Sequence, residues 1–131
     1  MLILTFLQKS LITPANRRLY FLPYANDGIS YTDMRGNAIW NQAYEMQSPM
    51  VRVSGTRIAV ADYNGHIVYN IDQTGNYVEI DTNLPIRELA VSESGIVAAV
   101  LEDTDATWIY LYDSMGERIA YLRTTMGRSG Y

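Results

Sequence analysis

Asp33-Met34-Arg35-Gly36, Asp72-Gln73-Thr74-Gly75 and Asp113-Ser114-Met115-Gly116 carry one Asp-x-x-Gly phrase at spacings of 39 and 41 residues. A fixed period in that range is the mark of a repeated supersecondary unit. Asp bonds its own turn backbone and Gly supplies the turn conformation, so each phrase reads as a tight turn between strands. Gly55 and Gly95, 40 residues apart, repeat the period at a second position.

Strands fall on either side of these turns. In the middle repeat Met50–Val53, Arg57–Ala61, Ile67–Ile71 and Tyr77–Ile80 are strand-like, separated by Ser54-Gly55, Asn64-Gly65 and the Asp72 turn. Asn-Gly is a strong hairpin signal because both residues tolerate positive φ. Leu84-Pro85 ends the repeat, since Pro cannot donate to a ladder. The last repeat reads Ile86–Val91, Ile96–Leu101, Thr107–Tyr112 and Arg118–Leu122, with an acidic turn at 102–106. In the first, Leu19–Leu22, Ile29–Thr32 and Ala38–Asn41 are strands, Asn26-Asp27-Gly28 is the hairpin, and Pro14-Ala15-Asn16 is an expected turn. The segment before it, residues 1–12, reads as a strand with irregular continuation. It is too short and polar to span a bilayer and has no basic stretch ahead of its apolar run.

No stretch has a sustained helical period. The expectation is an all-β chain of consecutive four-stranded antiparallel propeller blades, about three of them. The whole chain, 1–131, is read as one propeller-type domain with repeats of approximately 1–46, 47–84 and 85–126. Trp108, Tyr110 and Tyr112 face one side of their strand, and Ile109 and Leu111 the other. Together with Trp40 these aromatics are assigned to packing between blades. Ala59, Ala61, Ala98 and Ala99 fall on second strands, where small side chains allow close approach. Known propellers use about four to eight blades, so three leave apolar faces open. The readings this leaves are an incomplete propeller, a ring completed by other chains, or a rearranged sandwich or barrel.

Composition narrows the chemistry. The chain has 131 residues, 48% of them apolar and 18% charged, enough for a folded core. Its net charge of −4, with Arg17-Arg18 as the only basic doublet, argues against nucleic acid. Cysteine is absent and His66 is the sole histidine, which excludes thiolate chemistry and His-His metal sites within one chain. No Gly-rich loop opens a helix, so a nucleotide has no support. Nothing here implies a cofactor.

The turn residues Asp33, Gly36, Asp72, Gly75, Asp113 and Gly116 are read as structural. Glu102, Asp103 and Asp105 are the densest acidic cluster and the one weak calcium candidate, although the Gly and distal Glu of an EF-hand loop are missing. A solvated hairpin tip explains them equally well. Trp108, Tyr110 and Tyr112 with Tyr69 are the candidate aromatic platform for a sugar or peptide, set against the packing role. His66 is expected at a sheet rim with a local hydrogen bond.

Two resemblances follow from the same residues. The Asp-x-x-Gly turns, the phrase Asp33–Trp40 and the stretch Thr107–Asp113 resemble quinoprotein-type and other WD40-like propeller repeats. Glu79 and Ala120 stand where Trp40 stands in the first unit. From about Gly28 to Tyr131, the segments Ile29–Asp33, Trp40–Met46, Asn83–Ile86 and Thr124–Met126 resemble a bacterial domain family of unknown function. That resemblance implies a propeller held outside the membrane on an N-terminal anchor, with no assigned activity. The function expected is a non-catalytic binding or scaffold module whose partner is a protein or small ligand, with self-association through open blade faces. The alternatives are a fragment of a propeller enzyme, such as a quinone-dependent dehydrogenase completed by missing blades, and a self-assembling structural segment.

Overall fold

A computed structural model describes residues 9–15 and 18–124. All the regular structure there is strand: β1 (Lys9–Ala15), β2 (Arg18–Ala25), β3 (Gly28–Thr32), β4 (Ala38–Ala43), β5 (Pro49–Ser54), β6 (Arg57–Asp62), β7 (Ile67–Ile71), β8 (Tyr77–Asp81), β9 (Ile86–Val91), β10 (Val97–Glu102), β11 (Thr107–Tyr112) and β12 (Arg118–Thr124). They form three four-stranded sheets, each in sequential order, and every ladder with an assigned register is antiparallel. Among the described residues no helix is long and apolar enough to cross a membrane. Pro14 and Ala15 lie in β1 rather than in the expected turn, paired with Leu19 and Arg18. The N-terminal strand reading for residues 1–8 falls outside the described residues, as does Asn16.

By contacts the chain divides into two compact units, Met1–Pro49 and Met50–Tyr131. In the first, β3 alternates between half-buried and buried positions. Leu22, Ile29, Tyr31 and Trp40 are buried. Tyr31 stacks between Tyr20 and Trp40, with ring centroids 4.7 and 5.5 Å away. The hairpin at Asn26-Asp27 is tied to the chain leaving the sheet, because Tyr44 N and Met46 N donate to Asp27 O and Asn26 O at 3.2 and 2.8 Å.

The second unit packs two sheets face to face. Strand alternation decides which residues meet, since side chains one apart point to opposite faces. Ala59, Ala61, Val68 and Ile80 of the middle sheet share one core with Ile86, Leu89, Val97, Ala99, Leu101 and Tyr112 of the last. Alanines on β6 let β9 and β10 approach with their larger side chains. Each fully buried Leu, Ile or Val contributes roughly 1.5–3 kcal/mol. Polar contacts fix the sheets' relative position. Asn64 N donates to Ile86 O and Ile86 N to Gly65 O, both at 2.8 Å, so the Asn-Gly hairpin grips the first strand of the next sheet. Asn70, 2% exposed, donates its amide to Gly95 O at 2.9 Å. Arg52 pairs with Glu88 at 2.6 Å and donates to Leu89 O.

The turn glycines test this packing directly. Gly36 and Gly116 both have φ of 90°, but a Cβ on Gly36 would meet nothing within 4 Å, whereas one on Gly116 would lie 2.8 Å from Val78 Cγ1 in the neighbouring sheet. Gly36→Ala is expected to cost about 1–2 kcal/mol from backbone strain alone. Gly116→Ala should cost about 1–3 kcal/mol more, from overpacking. Urea midpoints of the two variants check the difference, and equal losses would place the sheets further apart.

Candidate functional site

The three Asp-x-x-Gly phrases form the same turn. Gly N donates to Asp O at 3.0 Å in each: Gly36 to Asp33, Gly75 to Asp72 and Gly116 to Asp113. The Asp side chain closes the turn from inside. Asp33 Oδ1 accepts from Arg35 N and Asn37 N, both at 2.9 Å. Asp72 Oδ1 accepts from Thr74 N, Thr74 Oγ1 and Asn76 N. Asp113 Oδ1 accepts from Met115 N and Glu117 N. A fourth copy is hidden in Ser92-Glu93-Ser94-Gly95, where Ser92 Oγ replaces the carboxylate and accepts from Ile96 N at 3.0 Å. In each Asp turn one carboxylate oxygen, Oδ1, is engaged by the turn itself.

The acidic loop is used locally too. Asp103 Oδ1 accepts from Asp105 N and Ala106 N, and Oδ2 accepts the indole N–H of Trp108 at 3.0 Å. Glu102 points to a different partner, pairing with Arg87 at 2.8 Å. Among the described residues no group of three His, Cys, Asp or Glu is placed to hold a metal ion. His66 Nδ1 lies 2.9 Å from Asp81 Oδ1 on the exposed rim of the middle sheet.

The aromatic residues of the last sheet make a larger surface. β11 pairs Trp108 with Arg123 and Tyr110 with Tyr121 on β12, so all four rise on the face that carries Val97, Ala99 and Leu101. Tyr112 is buried at the inner end of the row. Its hydroxyl is pushed up to about 12, first by burial and then by neighbouring Tyr110, against the pull of Arg118. Toward the outer end the row opens. Tyr121 is 61% exposed, while Trp108 and Tyr110 are half-buried against the core. The Arg118 guanidinium sits 4.7 Å from the Tyr110 ring and 5.1 Å from that of Tyr121, and Arg123 sits 5.5 Å from Trp108. Three rings and two cations thus form one patch.

Tyr69 is not part of it. It lies on the opposite face of the middle sheet, paired with Val60 and Glu79 and edge-on to Tyr77. Trp40 lies in the first unit, stacked on Tyr31. Sequence reasoning missed Tyr121, Arg118 and Arg123. Their signal was the alternation Tyr121-x-Arg123 on the strand after Trp108-x-Tyr110, with Arg118 put out of phase in the sequence by a register shift between Leu111 and Tyr112.

A family model described as a family of unknown function (DUF5711) matches residues 18–131. The chain belongs to the DUF5711 family. No curated protein matches it. The DUF5711 chain is also similar in fold to a solved protein of unknown function from Bacteroides caccae, at 12% identity and a TM-score of 0.55. The match covers 91% of this chain but 47% of that one, so the chain spans about half the length of that relative.

The turn and rim carboxylates predict an acid response. Backbone donation from Asn37 holds Asp33 below its ordinary value, and that from Asn83 does the same for Asp81. The Trp108 indole lowers Asp103. At Asp72 burial opposes ionisation, but the hydrogen bonds from Thr74 and Asn76 outweigh it. Groups lowered on folding stabilise fully above the unfolded value and lose that contribution as pH falls through the folded one. Melting temperature is therefore expected to hold from neutral pH to about 5 and to fall below the ordinary Asp value of 3.8. Asp72→Ala should cost about 1–2 kcal/mol at pH 7 and flatten part of that fall, while Asp72→Asn keeps most of the turn. An acid limb unchanged in Asp72→Ala would contradict this assignment.

Proposed function

We propose that the chain is a non-catalytic binding module of β-propeller type. Its recognition surface is the patch formed by Trp108, Tyr110, Tyr121, Arg118 and Arg123. Sequential four-stranded sheets at a 39- and 41-residue spacing support the propeller reading. The observation that carries the binding reading is the pair of arginines held over aromatic rings on an exposed strand. Guanidinium groups prearranged in this way lose little freedom on meeting carboxylates.

The partner class follows from the same surface. β12 is an outer strand of its sheet, and six of its seven residues are exposed. An extended segment adds to such an edge through main-chain hydrogen bonds. Acidic side chains on that segment then pair with Arg118 and Arg123, and an apolar or aromatic one lies on Tyr121. The partner is an extended acidic peptide of another protein. The family resemblance further supports display outside the cytoplasmic membrane, where the module acts as a scaffold for such partners.

A decapeptide alternating Glu with Val and one Tyr, titrated by calorimetry, tests this. Binding is expected in the micromolar range, weakening with salt. Arg118→Ala with Arg123→Ala should lose at least tenfold. A peptide with Lys for Glu should not bind. Equal binding of the acidic and basic peptides, or none of either, would overturn the reading.

A further inference from the structure

β12 does not pair with β11 residue for residue. Tyr112 stands opposite Arg118 and Leu111 opposite Ala120, so Ile119 is an extra residue with no counterpart in β11. From there the ladder is regular: Tyr110 faces Tyr121, Ile109 faces Leu122 and Trp108 faces Arg123. The Asp-x-x-Gly turn does not require the extra residue. In the middle sheet the same turn leads into a one-to-one ladder, with Ile71 opposite Tyr77 and Asn70 opposite Val78. In the first sheet β4 does gain one, Ile39, but the residues it aligns are the uncharged Ala38 and Trp40.

The extra residue changes which face Arg118 takes. In a strictly alternating strand, residues three apart point to opposite faces, so Arg118 would lie across the sheet from Tyr121. With Ile119 bulged, Arg118 shares a face with Tyr121 and Arg123. The ring contacts agree: the Arg118 guanidinium lies 4.7 Å from Tyr110 and 5.1 Å from Tyr121, and that of Arg123 lies 5.5 Å from Trp108. Arg118 and Arg123 are five residues apart in the chain, yet they stand opposite Tyr112 and Trp108, which are four apart. Tyr121 stands midway, opposite Tyr110. Four positions of a regular strand span about 13 Å.

An extended segment added at the outer edge of β12 keeps its own two-residue alternation. Its side chains on the Arg118 face are therefore an even number of residues apart. Opposite a bulge, one residue of the partner strand faces two of the bulged strand. We infer that β12 selects segments of the form Glu-x-Tyr-x-Glu, in which Asp can replace Glu and another apolar residue can replace Tyr, with the two carboxylates four residues apart. This rests on the peptide-binding reading and adds its register. The carboxylates pair with Arg118 and Arg123 through charge-assisted hydrogen bonds, and the central side chain lies on Tyr121. The motif reads alike in both directions, so it fits a parallel or an antiparallel segment.

Three octapeptides of one composition, titrated by calorimetry into the 131-residue chain, test it. Each carries Glu at its second position, Tyr at its fourth and Thr elsewhere, with a second Glu three, four or five residues after the first. The peptide with a spacing of four is expected to bind about tenfold tighter than the other two, the worth of one charge-assisted pair. Arg118→Glu, a change on an exposed strand, should weaken that peptide and favour a version with Lys in place of one Glu. Equal affinities for the three spacings would overturn the inference and leave the acidic-peptide reading standing. So would tightest binding at a spacing of five, the result if every residue of β12 counted, or unchanged affinity in Arg118→Glu. Binding of none of the three would remove the underlying reading and the inference together.

Discussion

Two sheets of the second unit meet through faces chosen by strand parity, and the rest of that unit follows from the meeting. Ala59 and Ala61 are small because Leu89, Leu101 and Tyr112 come down on them. A one-residue slip of β6 would offer Ile58 and Val60 instead and overfill the gap. The Asn64-Gly65 hairpin holds Ile86 by two backbone bonds, which sets where the last sheet begins. Asn70 adds a directional bond between the two sheets. Hydrophobic burial supplies most of the stabilisation there, and these polar contacts set the position.

The turns serve that packing. An Asp carboxylate accepting two or three bonds removes the freedom of the hairpin tip and keeps the backbone N–H groups satisfied. Turn glycines allow sharp reversals, and at Gly116 the missing side chain also leaves room for Val78. The carboxylates look like a repeated chemical motif in sequence, yet each one answers to its own backbone. On the exposed part of the last sheet arginines and aromatic rings lie together with nothing in that sheet beyond them.

Much of this could be read from residues alone. The Asp-x-x-Gly spacing, the Asn-Gly hairpin and the four strands per repeat are local signals, and local hydrogen bonding fixes them. The alternation of Trp108, Tyr110 and Tyr112 against Ile109 and Leu111 is visible too. Other features depend on pairing between strands and were not legible. Ala98 and Ala99 look alike in sequence but stand on opposite faces, one in the core and one outward. The register shift at Leu111 and Tyr112 moves Tyr121 opposite Tyr110 and brings Arg118 beside both rings. The Trp108–Asp103 hydrogen bond turns a seemingly free acidic cluster into a cap on the aromatic row. Pro14 sits inside β1 because that strand pairs at the end of its sheet, where a missing donor is tolerated.

A methyl-resolved nuclear Overhauser spectrum of the folded chain tests the face-to-face packing most directly. The methyls of Ala59, Ala61 and Val68 should show cross-peaks to those of Leu89, Val97 and Leu101, and Val60 should show none to that set. Cross-peaks from Val60 to Leu89 or Leu101, or the absence of any between the two sheets, would contradict the account.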